Sequence, residues 1–452
     1  MCANKSLPKV VIVPTGGTIQ NTEPFVTSSK AGGTLNVRRP QRLYAPATVK
    51  IAKEDVDGKA LPIRSNEDPF WSVTLKPEDG LYLLPYMEPG HEPPSKYTGV
   101  YLGVRRLIEE IDNFGLDDRG RNNLLKNTAN LVINEIIDPR TGRELRVNGA
   151  TFTVFELVLI ANAVNEALAD RDAVGCVVTQ GTFTAEETAC FLNYVVNSDK
   201  PVVVCASQRR HMSISNDGDR NLVDAVRVAI HPESRGKGVM LVMNEEILPA
   251  REVTKTNQRP DGFVSSGGSS RTMGTIEEDQ VTFYYQPVRK HTLKSDVRSE
   301  KPLPHMLPSV DIVKTYAGAD GVLVEALIDR ALKERSGASD SPKHGIVVEG
   351  FAYSGKPHTF QVAALEKAVT KYGIPVALAN RGDYGRIPSA AHGGLFITCD
   401  NFMAVKARLL LTLAIEKFGM LTPYDNPDKP TVQERTKLHS EVQAYQIIFD
   451  TH

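Results

Sequence analysis

The 452-residue chain is predicted to be an α/β protein of two domains, with mostly parallel sheets flanked by helices in three layers. Three observations lead there. Short runs rich in β-branched residues recur at 10–14, 131–137, 174–179, 201–205, 238–243, 311–316, 345–350 and 374–379, and continuous apolar runs of this length are strands covered on both faces. Segments with helical spacing lie between them at 155–169, 186–196, 222–230 and 360–373, and strand–helix alternation builds parallel sheets. The polar stretch 291–308 carries three prolines and reads as a linker. It separates an N-terminal domain, 1–290, from a smaller C-terminal α/β domain, 309–452. Two segments fit less simply. Residues 20–96 are rich in proline, glycine and charge without clean periodicity, as expected of a lid, hairpin or interface insert. The last segment ends in a predicted helix beginning near Val432.

Composition narrows the function. Lys and Arg number 53 against 54 Asp and Glu, so the net charge of −1 supplies no field for nucleic acid or an anionic membrane. No apolar run approaches the roughly 20 residues of a membrane span. The first apolar stretch, 10–13, is too short for a signal peptide, which predicts a cytoplasmic protein. Five scattered cysteines, Cys2, Cys176, Cys190, Cys205 and Cys399, give no disulfide framework. CxxC, HExxH and acidic calcium-loop patterns are missing and the ten histidines do not cluster, so no metal site is expected.

Three motifs carry chemistry. Thr15-Gly16-Gly17-Thr18-Ile19 follows the first strand, where two glycines permit a sharp turn at the carboxyl end and leave hydroxyls at the edge where α/β proteins bind ligands. Alone, this is equally a tight turn before a capped helix. The longer Thr179-Gln180-Gly181-Thr182-Phe183-Thr184-Ala185-Glu186-Glu187 run also ends a strand and opens a helix, aiming Thr182 at the same edge. The segment Arg251–Asn257, REVTKTN, brings Lys255 from beyond another strand.

With DKPVV (199–203), SNDGDRNLVDAVRVA (215–229), VMN (242–244) and PVRKHT (287–292), these blocks resemble in order the bacterial-type L-asparaginase/glutaminase family. The resemblance implies a small-molecule amide substrate, no cofactor, and a homodimer or homotetramer whose site is shared between subunits. It makes Thr18 the nucleophile, Thr182 with Lys255 the assisting pair, and Tyr97 in KYTGVYLGV the proton relay. Gly17, Gly181, Gln180 and Phe183 then line the substrate. A lysine desolvated in a closed site can be neutral near physiological pH, which suits that role.

The departures matter as much. Phe183 stands where the family has an aspartate gripping an α-ammonium group, the strand at 131–137 runs into Asp138-Pro139-Arg140 in place of the residues expected to hold an α-carboxylate, and Gly318 replaces a neighbour-contributed asparagine. Unpaired charges at both ends of a zwitterion are costly. A neutral, aromatic or cyclic amide is therefore the expected substrate, with a conventional asparaginase or a non-catalytic small-molecule-binding protein as rivals. Three further residues read as structural: Lys200 with a solvated ammonium, Asp217 as a helix cap and loop brace, and His291 as a hydrogen-bonded histidine.

Overall fold

The computed structural model describes residues 6–22, 27–30, 34–37, 47–52, 70–75, 100–114, 123–146, 152–265, 272–336, 342–352, 354–382, 385–388 and 394–452, with side chains described outside 22–101 and 114. Five strands run parallel: β1 (Lys9–Pro14), β2 (Asn130–Ile133), β3 (Ala173–Thr179), β4 (Val202–Cys205) and β5 (Val239–Met243). β6 (Glu246–Pro249) turns back on β5. A separate ribbon follows, β7 (Val253–Lys255) against β8 (Phe263–Ser265). β9 (Gly274–Glu277) and β10 (Gln280–Phe283) then extend the large sheet, giving the order β10-β9-β6-β5-β4-β3-β1-β2. A second sheet is wholly parallel, in the order β11 (Ser309–Lys314), β12 (His344–Gly350), β13 (Val376–Asn380) and β14 (Ile397–Thr398).

Period-two alternation sends each central strand's side chains to two different cores. Val11, Val13, Cys176, Val178, Val202 and Val204 face a core shared with α3 (Val154–Ala169), α4 (Ala185–Val195) and the second sheet. Val10, Ile12, Val177, Val203 and Cys205 face α1 (Val104–Phe114), α2 (Leu124–Thr128) and α5 (Gly218–Ile230). The second sheet carries α6 (Val322–Ser336), α7 (Thr359–Tyr372), α8 (Ala404–Phe418) and α9 (Val432–Thr451). α3 starts on a capping box between Thr153 and Glu156, and α7 stops at Gly373 in the left-handed conformation. Cys176, Cys190, Cys205 and Cys399 are buried free thiols, and burial pushes the Cys190 thiol up to about 11.

The topology brings four strand ends together at a reversal of strand order. From β1 the chain goes out to β2 on one side, whereas β3 leads to β4 on the other, so the order reverses between β1 and β3. A crevice opens beyond the carboxyl ends of strands at such a reversal. Pro14 pairs with Thr179, Thr179 with Cys205 and Cys205 with Val242, so four strands end in one row there.

Three sequence expectations change. The run 131–137 is not one strand: β2 ends at Ile133, and Ile137–Asp138 instead pairs antiparallel with Arg143–Glu144. The polar Asn134 and Glu135, with Pro139 beyond, interrupt the apolar pattern. The half-buried Lys200 is not left to solvent alone: its ammonium donates to the carbonyls of Leu168 (3.0 Å) and Asp170 (2.6 Å) at the end of α3. Asp217 makes no side-chain cap on α5; its carboxylate instead accepts from the Gln208 and Arg209 backbone (2.9 and 2.8 Å), bracing the preceding loop. His291 is buried and lies 3.1 Å from the Thr292 hydroxyl, as a structural histidine would.

Candidate active site

The first turn is built from close contact. Gly16 and Gly17 have φ of +96° and +88°, and Gly17 at ψ 178° occupies a region open essentially only to glycine. A Cβ on Gly17 would stand 2.3 Å from the Gly181 nitrogen, so the two strand-end turns touch backbone to backbone. Side chains lock them further. The Thr15 hydroxyl donates to the Thr179 carbonyl (2.8 Å) and lies against the Gln180 side-chain carbonyl, while Gln20 Nε2 donates to Thr179 Oγ1 (2.5 Å). Gly17→Ala is expected to destabilise the fold by roughly 2–4 kcal/mol, from the forbidden φ/ψ plus the overlap. Urea unfolding should show a lower midpoint with an unchanged slope.

Gln180 is corrected from a substrate contact to a brace. It is fully buried, its Nε2 donates to Thr184 Oγ1 (3.1 Å), its Oε1 meets Thr15, and its backbone N–H donates to the Cys205 carbonyl (2.9 Å). Thr18, by contrast, is only half-buried and begins a single 3-10 turn, Thr18–Gln20.

The second group is a contact between β7 and the turn after β3. Lys255 Nζ lies 2.7 Å from Thr182 Oγ1. The Lys255 backbone N–H donates to Glu186 Oε2 (2.7 Å), so the first turn of α4 fixes the strand that carries the lysine. Burial lowers the Lys255 pKa below the ordinary lysine value, against an opposing pull from the Glu186 carboxylate. Phe183 is 69% exposed, and its ring centroid lies 5.1 Å from Lys255 Nζ. At this edge the neighbour of the lysine is an aromatic face open to solvent.

The other expectations fall as follows. Tyr97 and most of 20–96 lie outside the described residues. Asn21–Thr22 pairs with Val100–Tyr101, and the Leu102 N–H donates to the Gln20 carbonyl (2.6 Å), so the chain returns beside Gln20, just past Thr18 and Ile19. Beyond β2, Asp138 is held by Arg140 (2.8 Å), which keeps its carboxyl below the usual range. Arg140 also pairs with Glu156 and lies 4.1 Å over the Phe155 ring. Gly318 is an exposed glycine at φ +84°. Sequence reasoning missed Glu186, whose backbone grip on Lys255 spans 69 residues and leaves no local signal. Among the described residues no group of His, Cys, Asp and Glu is placed to hold a metal.

The Thr182–Lys255 contact thus lies at the carboxyl ends of the parallel strands, where α/β proteins place their ligand sites. Family models for the N-terminal domain of asparaginase and the C-terminal domain of glutaminase/asparaginase match residues 116–289 and 309–421. L-asparaginase 2 of Bacillus subtilis is 35% identical over 328 residues, covering 72% of this chain and 77% of that protein. L-asparaginase 2 of Escherichia coli is 34% identical over 327 residues, 71% of this chain and 83% of the other. The chain belongs to the asparaginase family, amidohydrolases that act on carbon–nitrogen bonds other than peptide bonds. A probable cytoplasmic L-asparaginase from Campylobacter jejuni shares the fold, with a TM-score of 0.65 and 24% identity over 98% of this chain and 100% of that one.

Proposed function

We propose that the chain hydrolyses a small amide that lacks a free α-amino acid head group, with Thr18 as nucleophile. The carrying observation is the 2.7 Å contact between Lys255 and Thr182 beside an exposed Phe183, a retained reactive pair next to an apolar surface. Thr18 attacks the amide carbonyl, and Tyr97 takes its proton while giving its own phenolic proton to the departing nitrogen, so the C–N bond breaks and Tyr97 ends neutral. Thr182, its hydroxyl polarised by neutral Lys255, assists from the other side: it takes a proton from the attacking water as its own passes to Lys255, which then protonates the leaving Thr18 oxygen. Backbone N–H groups of the Gly17 and Gly181 turns stabilise the oxyanion. Water then hydrolyses the acyl–threonine ester, regenerating the Thr18 hydroxyl. These steps need side chains and water only.

Phe183 offers a ring in place of a carboxylate, and the Asp138–Arg140–Glu156 cluster is satisfied within itself. A zwitterion would forfeit paired contacts there. We further propose domains of 1–290 and 309–452 joined by 291–308, a homodimer or homotetramer with the site shared between subunits, and a cytoplasmic location. No helix among the described residues is long and apolar enough to cross a membrane.

The test is product detection by mass spectrometry across L-asparagine, L-glutamine, succinamate, aryl amides and small lactams. Hydrolysis of succinamate, an aryl amide or a lactam with asparagine untouched is the expected result. Fast asparagine turnover would establish a conventional asparaginase, as its relatives are named, and ligand-dependent melting with no product would establish a binding protein. Phe183→Asp should raise asparagine turnover relative to succinamate by about tenfold or more, the effect of restoring one charge-assisted contact. Steady-state kinetics on the two substrates reads that ratio.

A further inference from the structure

The strand that carries Lys255 is gripped from the far side by the second sheet's helices. Lys406 of α8 is 1% exposed, and its ammonium donates to the carbonyls of Arg251 (2.9 Å), Ala250 (3.3 Å) and Val253. Those residues run directly into Lys255. Arg251 is fixed again from the same region: its guanidinium reaches Asn401 Oδ1 (2.7 Å) and Asp400 Oδ2 (3.3 Å) and lies 3.9 Å over the Phe402 ring. Two residues beyond Lys406, Arg408 bonds Glu187 Oε2 (2.9 Å) on α4, the helix whose Glu186 holds the Lys255 backbone. One helix therefore holds both sides of the Lys255–Thr182 contact.

A fully buried ammonium is expensive, and an apolar residue of similar volume is often as good for stability. What the charge adds is geometry, because three carbonyls converging on one nitrogen fix the backbone two residues from Lys255. We propose that Lys406, assisted by Arg408, is a positioning residue that sets the place and hydration of the Lys255 amine. This rests on the reading of Lys255 and Thr182 as the assisting pair. The charged and titratable groups around the two lysines are Glu186 from α4, Cys190 from α4, and Arg251 and Glu252 from the segment before β7.

The experiment needs no known substrate. Full-length wild type, Lys406→Met, Arg408→Met and Lys255→Ala are labelled with limiting acetic anhydride across a pH series, the Lys255 peptide is quantified by mass spectrometry, and circular dichroism reports folding. Kinetics on succinamate and L-asparagine run in parallel. In folded Lys406→Met, Lys255 labelling should titrate at higher pH than in wild type as water reaches the amine. kcat should fall roughly 10²-fold, with KM changed far less, since a 1 Å misplacement costs about that much. A folded variant with wild-type titration and kcat overturns the proposal. If Lys406→Met does not fold, Arg408→Met at the rim of the same helix carries the test, and an unchanged Lys255 titration there overturns it. Undiminished hydrolysis by Lys255→Ala would sink the reading of the site, while the labelling would still decide what Lys406 does.

Discussion

Thr18→Ala is expected to lower kcat on the hydrolysed amide by on the order of 10³-fold or more, because removing a nucleophile removes the covalent route itself. The fold should be spared. Thr18 is half-buried at the start of one 3-10 turn, and the contacts locking the turn belong to Thr15, Gly17, Gln20 and Gln180. An unchanged melting temperature with activity lost is therefore the expected pair of readings. Rapid-quench mass spectrometry adds a direct check: wild type should show a transient acyl mass on the peptide holding Thr18, and the variant none. Full activity in Thr18→Ala would move the nucleophile elsewhere, and Thr182, buried and 2.7 Å from Lys255, would be the first alternative.

What the sequence disclosed and what it hid follow one physical line. The strands at 10–14, 174–179, 201–205 and 238–243 were legible because a strand buried on both faces must be apolar at every position, and each is present at nearly those bounds. The strand read at 131–137 was overextended. β2 is an edge strand, only alternately half-buried and exposed, so apolar content marked its end poorly. The meeting of Thr182 and Lys255 was foreshadowed because each sits directly beside a glycine turn or strand with its own pattern. The roles of Gln180, Lys200 and Lys406 were not, since each is decided by a backbone carbonyl or hydroxyl distant in sequence: Thr15 for Gln180, Leu168 for Lys200, Val253 for Lys406. Polar residues in these places look like solvent or substrate contacts until the acceptors they satisfy are located.

Lys255→Met should cost about 10²–10⁴-fold in kcat, the range for one positioned proton-transfer group, and should also reshape the pH profile. Burial holds the Lys255 pKa below the ordinary 10.5. The amine must be neutral to polarise Thr182, so wild-type kcat should rise with pH through the lowered pKa and then level off. In Lys255→Met that limb disappears, leaving a low, flat rate over the same range. Glu186 gives the sign an independent check. Its carboxylate stabilises the ammonium and so raises the Lys255 pKa against the effect of burial. Glu186→Gln retains a carbonyl oxygen to accept the Lys255 N–H but removes the charge, so the limb should move to lower pH, with more activity kept under mildly acidic conditions. A shift to higher pH would mean that Glu186 acts mainly by holding the strand in place, with its loss letting water reach the lysine faster than the missing charge lowers its proton affinity.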